Sequence, residues 1–157
     1  MLRLRETTAT TTPATEASAT DMATVTMATR FTFMPISVAA ASAVLTATAT
    51  TDAGKTLRRE LHKVLQQADY DLKRIQYNTV VSACMKMLNT IESAKLDDSA
   101  ESSSVIAEGF SIFLRLLNPV APHITHALWT ELGYAAAHKD ILDTSWPQVD
   151  PAALEQS

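Results

Sequence analysis

The residues best suited to chemistry lie between Lys55 and Arg74. Six Arg or Lys side chains stand there against three acids, Glu60, Asp69 and Asp71. Read as a helix, the stretch sets Arg59, His62, Lys63, Gln66, Tyr70, Lys73 and Arg74 opposite an apolar stripe, with the acids at the margins. Cations neutralise phosphates and a tyrosine can stack on a base, so such a face suits a nucleic-acid backbone. Its ordinary alternative is the solvated outer side of a bundle helix, and pattern alone favours that alternative.

The other reactive groups assemble no catalytic site. Gly54-Lys55-Thr56 has the form of the end of a phosphate-binding loop, but that loop needs a glycine where Ala49 stands. His123 and His126 have a metal-compatible spacing without a third ligand nearby, so no metal is expected. Cys84 is the only cysteine, which excludes an internal disulfide or a multi-cysteine zinc site and fits a reducing cytosol. It falls on an apolar stripe and reads as a buried, inert thiol. Met85 and Met87 read as core filler. No nucleophile sits with a base, and no catalytic residue is expected. A formal net charge of -4 argues against nucleic-acid binding by the chain as a whole, so any such role rests on the local basic face.

The elements that would position this face are helical. Leu57, Leu61, Val64, Leu65, Ala68, Leu72 and Ile75 recur at steps of three and four, which predicts one amphipathic helix from about Thr56. Asn78-Thr79 offers an N-cap for a second helix carrying Val81, Cys84, Leu88 and Ile91. Residues 94–104 are polar and read as a loop whose serines cap a third helix. That helix carries Val105, Ile106, Phe110, Phe113, Leu114 and Leu117 and ends at Asn118-Pro119. Pro122 suits the first position of a fourth helix packing through Ile124, Ala127, Leu128 and Leu132, with Gly133 as a left-handed stop. The rest reads as loop, with Trp146-Pro147 pinned on the bundle. The fold class is therefore all-α, an antiparallel bundle of about four helices.

Composition shifts near Gly54. Of residues 1–53, 15 are Thr and 13 are Ala, too few large side chains to build a core. This segment is expected to be a low-complexity leader, disordered or non-native, ahead of a helical domain over residues 54–157. Within it, residues 31–49 are more apolar and end in Ala47-Thr48-Ala49, the small-x-small form of a signal-peptidase site. A secreted or membrane-anchored helical protein is thus a minor alternative, weakened by the Thr-rich stretch ahead of Arg30 and by Pro35.

Several motifs together resemble bacterial leucyl-tRNA synthetases. Leu57-Arg58-Arg59-Glu60-Leu61-His62-Lys63 is similar to the LRRELHK-type helix start of that family, and Tyr77-Asn78-Thr79 to its Phe-Asn-Thr. The run from Leu116 to Ile124 resembles its LLxPxAPHI segment. Leu128-Trp129, Glu131-Leu132-Gly133 and Ser145-Trp146-Pro147 follow in order. The set covers roughly residues 56–154. Each motif is weak alone, and the combination is specific.

The resemblance implies an anticodon-binding-type helical domain whose partner is leucine-specific tRNA. In that family the domain grips the tRNA body more than it reads the anticodon, so shape and phosphate contacts are the expected mode. By this resemblance Arg58, Arg59 and Lys63 become candidate tRNA contacts, joined by Lys73 and Arg74 from the basic face, while Pro122 and His123 are expected to set a helix start and its packing. The departures limit the expectation. No HIGH-type or KMSKS-type signature is present, and His126-Ala127 replaces the usual acidic pair before Leu-Trp. The chain alone is expected to be catalytically inactive and without a cofactor, ATP and Mg belonging to the parent family. A cytoplasmic location and no membrane contact are expected. Self-association through an exposed apolar face, and a non-functional remnant or purely structural bundle, are the competing readings.

Overall fold

In the computed structural model, residues 44–155 are described. Readings that fall on residues 1–43, including most of the apolar stretch 31–49, lie outside the described residues. Six helices are present among the described residues, and no strand.

Helix α1 spans Asp52–Lys73. Thr51 starts it, its Oγ1 accepting the Gly54 N–H at 3.2 Å, and Asp52 places a negative charge in the positive first turn. The helix therefore begins four residues before Thr56, inside the Thr/Ala-rich composition. The chain just ahead is also part of the fold. Ala47 is buried, and Glu101 takes the Thr50 N–H at 2.7 Å, the Thr51 N–H at 2.8 Å and both threonine hydroxyls. These bonds, Thr50's hydroxyl first, pull the Glu101 carboxyl down to about 2.

Helix α1 buries Leu57, Leu61, Leu65 and Ala68, as the stripe predicts. Ile75 does not continue that stripe. It lies beyond the helix at φ 61° with 72% of its surface exposed. Its N–H reaches Leu72 O at 2.9 Å and the Gln76 N–H reaches Asp71 O at 3.0 Å, a Schellman stop with isoleucine where glycine is usual.

Helix α2 spans Tyr77–Ser93. Asn78-Thr79 is not its N-cap: Gln76 holds that position without a side-chain bond, and the Thr79 hydroxyl donates to Gln76 O at 2.8 Å. The buried row is Val80, Ala83, Cys84, Met87 and Ile91, with Val81 and Leu88 only half-buried.

Helix α3 spans Ala100–Leu117 and starts from the serine run, Ser99 Oγ accepting the Ser102 N–H at 3.1 Å. It is buried on nearly every side from Ala107 to Leu116 because it lies against α1, α2 and the fourth helix. At Gly109 an added Cβ would sit 2.9 Å from Leu61 Cδ1 and 3.0 Å from Ile91 Cδ1. The missing side chain lets three helices meet closely there.

Helix α4 spans Pro122–Glu131, with Pro122 in its first turn as expected. It packs on α3 through Thr125 and Trp129, and not chiefly through Ile124, Ala127, Leu128 and Leu132. The indole decides this rotation. Trp129 stacks on Tyr134 at 4.6 Å, and its Nε1 donates to Lys139 O at 2.8 Å. Gly133 is left-handed at φ 82°, as its position predicts.

The segment after Gly133 is not all loop. It contains two single-turn helices, α5 (Tyr134–Ala137) and α6 (Pro151–Leu154). Tyr134 Oη donates to Ala107 O at 2.5 Å, Pro147 is buried and Trp146 half-buried, and α6 returns onto α1. The four long helices of the expected bundle are thus present, α1, α2 and α3 packing on one another and α4 on the far side of α3.

Candidate nucleic-acid interface

The LRRELHK-type run at the start of α1 divides between two environments. Lys63, Tyr70, Lys73 and Arg74 are exposed, and Arg59 is half-buried beside them. Lys63 pairs with Glu60 at 2.9 Å and Lys73 with Asp69 at 2.8 Å. Both pairs join neighbours on one helix, each stabilising by under about 1 kcal/mol, so breaking them costs little. Arg74 lies 5.4 Å from the centre of the Tyr70 ring, and its Nη1 donates to Tyr70 Oη at 2.9 Å. One aromatic ring and its cation are thereby presented together near the α1–α2 turn.

Arg58 and His62 belong to the interior instead. Arg58 is 8% exposed and His62 1%. Arg58 donates to Glu108 twice, Nε to Oε2 at 2.8 Å and Nη2 to Oε1 at 3.1 Å, and Nη2 also reaches Asp150 Oδ2 at 2.6 Å. His62 Nδ1 accepts the Asp150 backbone N–H at 3.1 Å, which leaves Nε2 to donate to Glu108 Oε1 at 3.2 Å. Burial acts to raise the Glu108 carboxyl, but bonds from His62 and Arg58 outweigh it and hold the group below its usual range. Burial likewise opposes the Arg58 charge, and Glu108 and Asp150 more than restore it. Asp150 also caps α6, its Oδ1 accepting the Ala152 N–H at 3.0 Å. The network therefore straps the end of the chain onto α1 and α3. Arg58, one of the candidate tRNA contacts, is buried in this network, and His62, expected on the exposed face, is buried with it. A helical pattern does not show this, because the counter-charge, Glu108, is the one acid in the apolar run of α3 and stands 50 residues from Arg58.

Residues 54–157 match the anticodon-binding domain of tRNA ligase. The chain belongs to this family. It is 76% identical over 106 residues to the leucine–tRNA ligases of Herminiimonas arsenicoxydans and Janthinobacterium sp. (strain Marseille), covering 68% of this chain and 12% of each relative. It is 62% identical over 107 residues to the leucine–tRNA ligase of Ralstonia pickettii (strain 12J), again 68% of this chain and 12% of the relative. The chain spans only a small part of the length of these curated relatives.

The remaining candidates of this anticodon-binding domain have structural explanations. The Gly54 and Lys55 N–H groups are already bonded to Thr51 Oγ1 and O, so Gly54-Lys55-Thr56 opens a helix and presents no phosphate cradle. His126 Nε2 lies 2.9 Å from Asp140 Oδ2, His123 is exposed, and no three potential metal ligands cluster among the described residues. Cys84 is buried, and burial pushes its thiol up to about 11, which makes it a poor nucleophile. Met87 fills the core as expected, whereas Met85 is exposed. A second buried guanidinium, Arg115, pins the tail ahead of Trp146, with Nη1 donating to Ser145 O at 3.0 Å. Burial draws it down to about 10. No described helix is long and apolar enough to cross a membrane.

Proposed function

We propose that this chain is a tRNA-binding helical module serving leucine–tRNA ligation in translation, with leucine-specific tRNA as its partner and the cytoplasm as its compartment. The observation that carries the reading is the family match over residues 54–157, joined to relatives named as leucine–tRNA ligases. Arg59, Lys63, Lys73 and Arg74 are the proposed phosphate contacts, with Tyr70 beside them. Arg58 acts indirectly, by fixing α1 in the bundle. Contacts of this type position the tRNA by shape and charge and carry no sequence information themselves. ATP and Mg belong to the parent family's chemistry.

The test is binding of the full chain to a leucine tRNA transcript across a salt series. Lys73→Glu with Arg74→Glu is expected to weaken binding at least tenfold at low salt and to flatten the salt dependence by about two counter-ions. Wild-type affinity in this double variant would remove the proposed face. Self-association is the second reading. It is favoured by the exposure of Tyr70, Ile75, Tyr77, Met85, Val120 and Leu142, and sedimentation over a concentration series distinguishes it.

A further inference from the structure

A groove of about 400 Å³ runs between α1 and α2, apolar at its floor through Val64 and Ala83 and polar at its rims, and the exposed face of α1 forms only one of its walls. Lys63 and Gln67 line it from α1, while Thr79, Ser82 and Lys86 line it from α2. At 100° per residue, Lys63, Gln67, Tyr70 and Arg74 fall within about 60° of one another, so they form a single row. Thr79, Ser82 and Lys86 do the same on α2. From Lys63 to Arg74 the row rises about 16 Å along the helix axis, long enough for several phosphates.

The two walls offer complementary chemistry. Lys63 and Lys86 are exposed ammonium groups on opposite sides of the groove. The hydroxyls of α2 have already placed their protons, Thr79 on Gln76 O at 2.8 Å and Ser82 on Asn78 O at 3.0 Å. Their oxygens are left as acceptors. A ribose 2′-OH can donate to them, and deoxyribose cannot. The one acid lining the groove, Asp71, is buried and accepts from Gln67 Nε2 at 2.9 Å, so it is partly neutralised by an amide on its own helix.

We infer that the α1–α2 groove seats one strand of RNA backbone, its phosphates between Lys63 and Lys86 and a ribose against Ser82 and Thr79. This rests on the tRNA-binding reading and adds α2 to it. The groove assigns a role to Lys86, outside the motif run that singled out α1.

The test uses the full chain and a leucine tRNA transcript. Lys86→Glu is compared with Lys95→Glu, an equal charge change at an exposed site outside the groove. Lys86→Glu is expected to weaken binding about 5- to 10-fold at low salt and to lower the log–log salt slope by about one, while Lys95→Glu moves neither. In a second measurement Ser82→Cys carries a photo-crosslinker, the native Cys84 being buried. A tRNA crosslink that unlabelled tRNA competes away supports the groove. Equal effects of the two lysine variants, or no crosslink, overturn it; the tRNA-binding reading then still stands if Lys73→Glu with Arg74→Glu weakens binding. A wild-type chain that binds no tRNA overturns both.

Discussion

Arg58 and Arg59 are adjacent in the chain, as are His62 and Lys63, yet each pair is split between two kinds of electrostatics. On the inner side of α1, Arg58 and His62 are desolvated and bound to Glu108 and Asp150 at fixed distances. On the outer side, Lys63 and Lys73 are themselves exposed and pair only with neighbours on their own helix. The 100° step between neighbours is enough to separate them. A count of basic residues along α1 therefore mixes two environments. The inner cations brace the module, and the outer ones are those proposed to meet a ligand.

The largest expected effect breaks the inner side. Glu108→Leu leaves the Arg58 guanidinium buried with only Asp150, and should cost about 3–5 kcal/mol of stability by chemical denaturation. Adding Arg58→Met should recover most of that loss, because an apolar pair of similar volume replaces a buried ion pair at little net cost. A Glu108→Leu loss under about 1 kcal/mol would show that the pair is not sealed from water. Where the single variant remains folded, its tRNA affinity should stay close to wild type.

The same inner network contributes to the acid limit, beside Glu101 at the start of α3. Glu108 and Asp150 both titrate below their usual values in the fold, Glu108 against burial and Asp150 chiefly through Arg58. Depressed carboxylates contribute stability that is fully present above the unfolded-state values, about pH 4–4.5, and is lost as pH falls through the lowered ones. Unfolding free energy should therefore be flat from about pH 7 to 5 and drop below about pH 4. Glu108→Gln should make that drop shallower. An unchanged acid limb in this variant would assign the limb to other carboxylates.

The outer side should show the reverse pattern. Lys73→Glu with Arg74→Glu reverses two charges at the negative end of α1 and should lower stability by about 1–2 kcal/mol, well below the inner effect, while tRNA binding falls. A large loss of stability would mean that the outer cations are structural too, and the division of α1 would fail.

Much of the fold was legible because its signals are local. Pro122 and Gly133 mark helix ends through their own backbone limits, and the serine run before α3 supplies a cap without help from the rest of the chain. The rotation of each helix was less legible. Val80 and Val81, or Met87 and Leu88, satisfy a helical stripe equally well, and the positions of α1 and α3 select Val80 and Met87 for the core. Trp129 and Thr125 were passed over because one is amphipathic and the other polar, yet the indole needs both the Tyr134 ring and the Lys139 carbonyl. On the candidate interface, the sequence separated polar from apolar on α1 but not ligand-facing from partner-facing. Arg58, Glu108 and Asp150 meet across separations of 50 and 92 residues, which no helical period reports. Lys86 escaped notice for the complementary reason. It is a single charge on a weakly charged helix and gains meaning only where α2 lies beside Lys63.

The smallest expected effect lies at the turn that joins the two walls of the groove. Ile75 holds φ 61° in a Schellman stop, a conformation that costs an L-residue roughly 1–2 kcal/mol and a β-branched one more. Glycine removes that strain but loses about 0.4–1 kcal/mol through the freer unfolded chain. Ile75 buries little, with most of its surface in solvent, so the lost apolar contact is small. Ile75→Gly should therefore stabilise the bundle by about 0.5–1 kcal/mol, read as a rise in Tm of a few degrees. Paired with tRNA binding, the variant also separates the turn's backbone from its side chain. The left-handed turn is kept, so Arg74 and Tyr70 stay in place and affinity should not move. A loss of affinity with a gain in Tm would extend the outer surface to the Ile75 side chain itself, making it an apolar contact for RNA at the mouth of the groove.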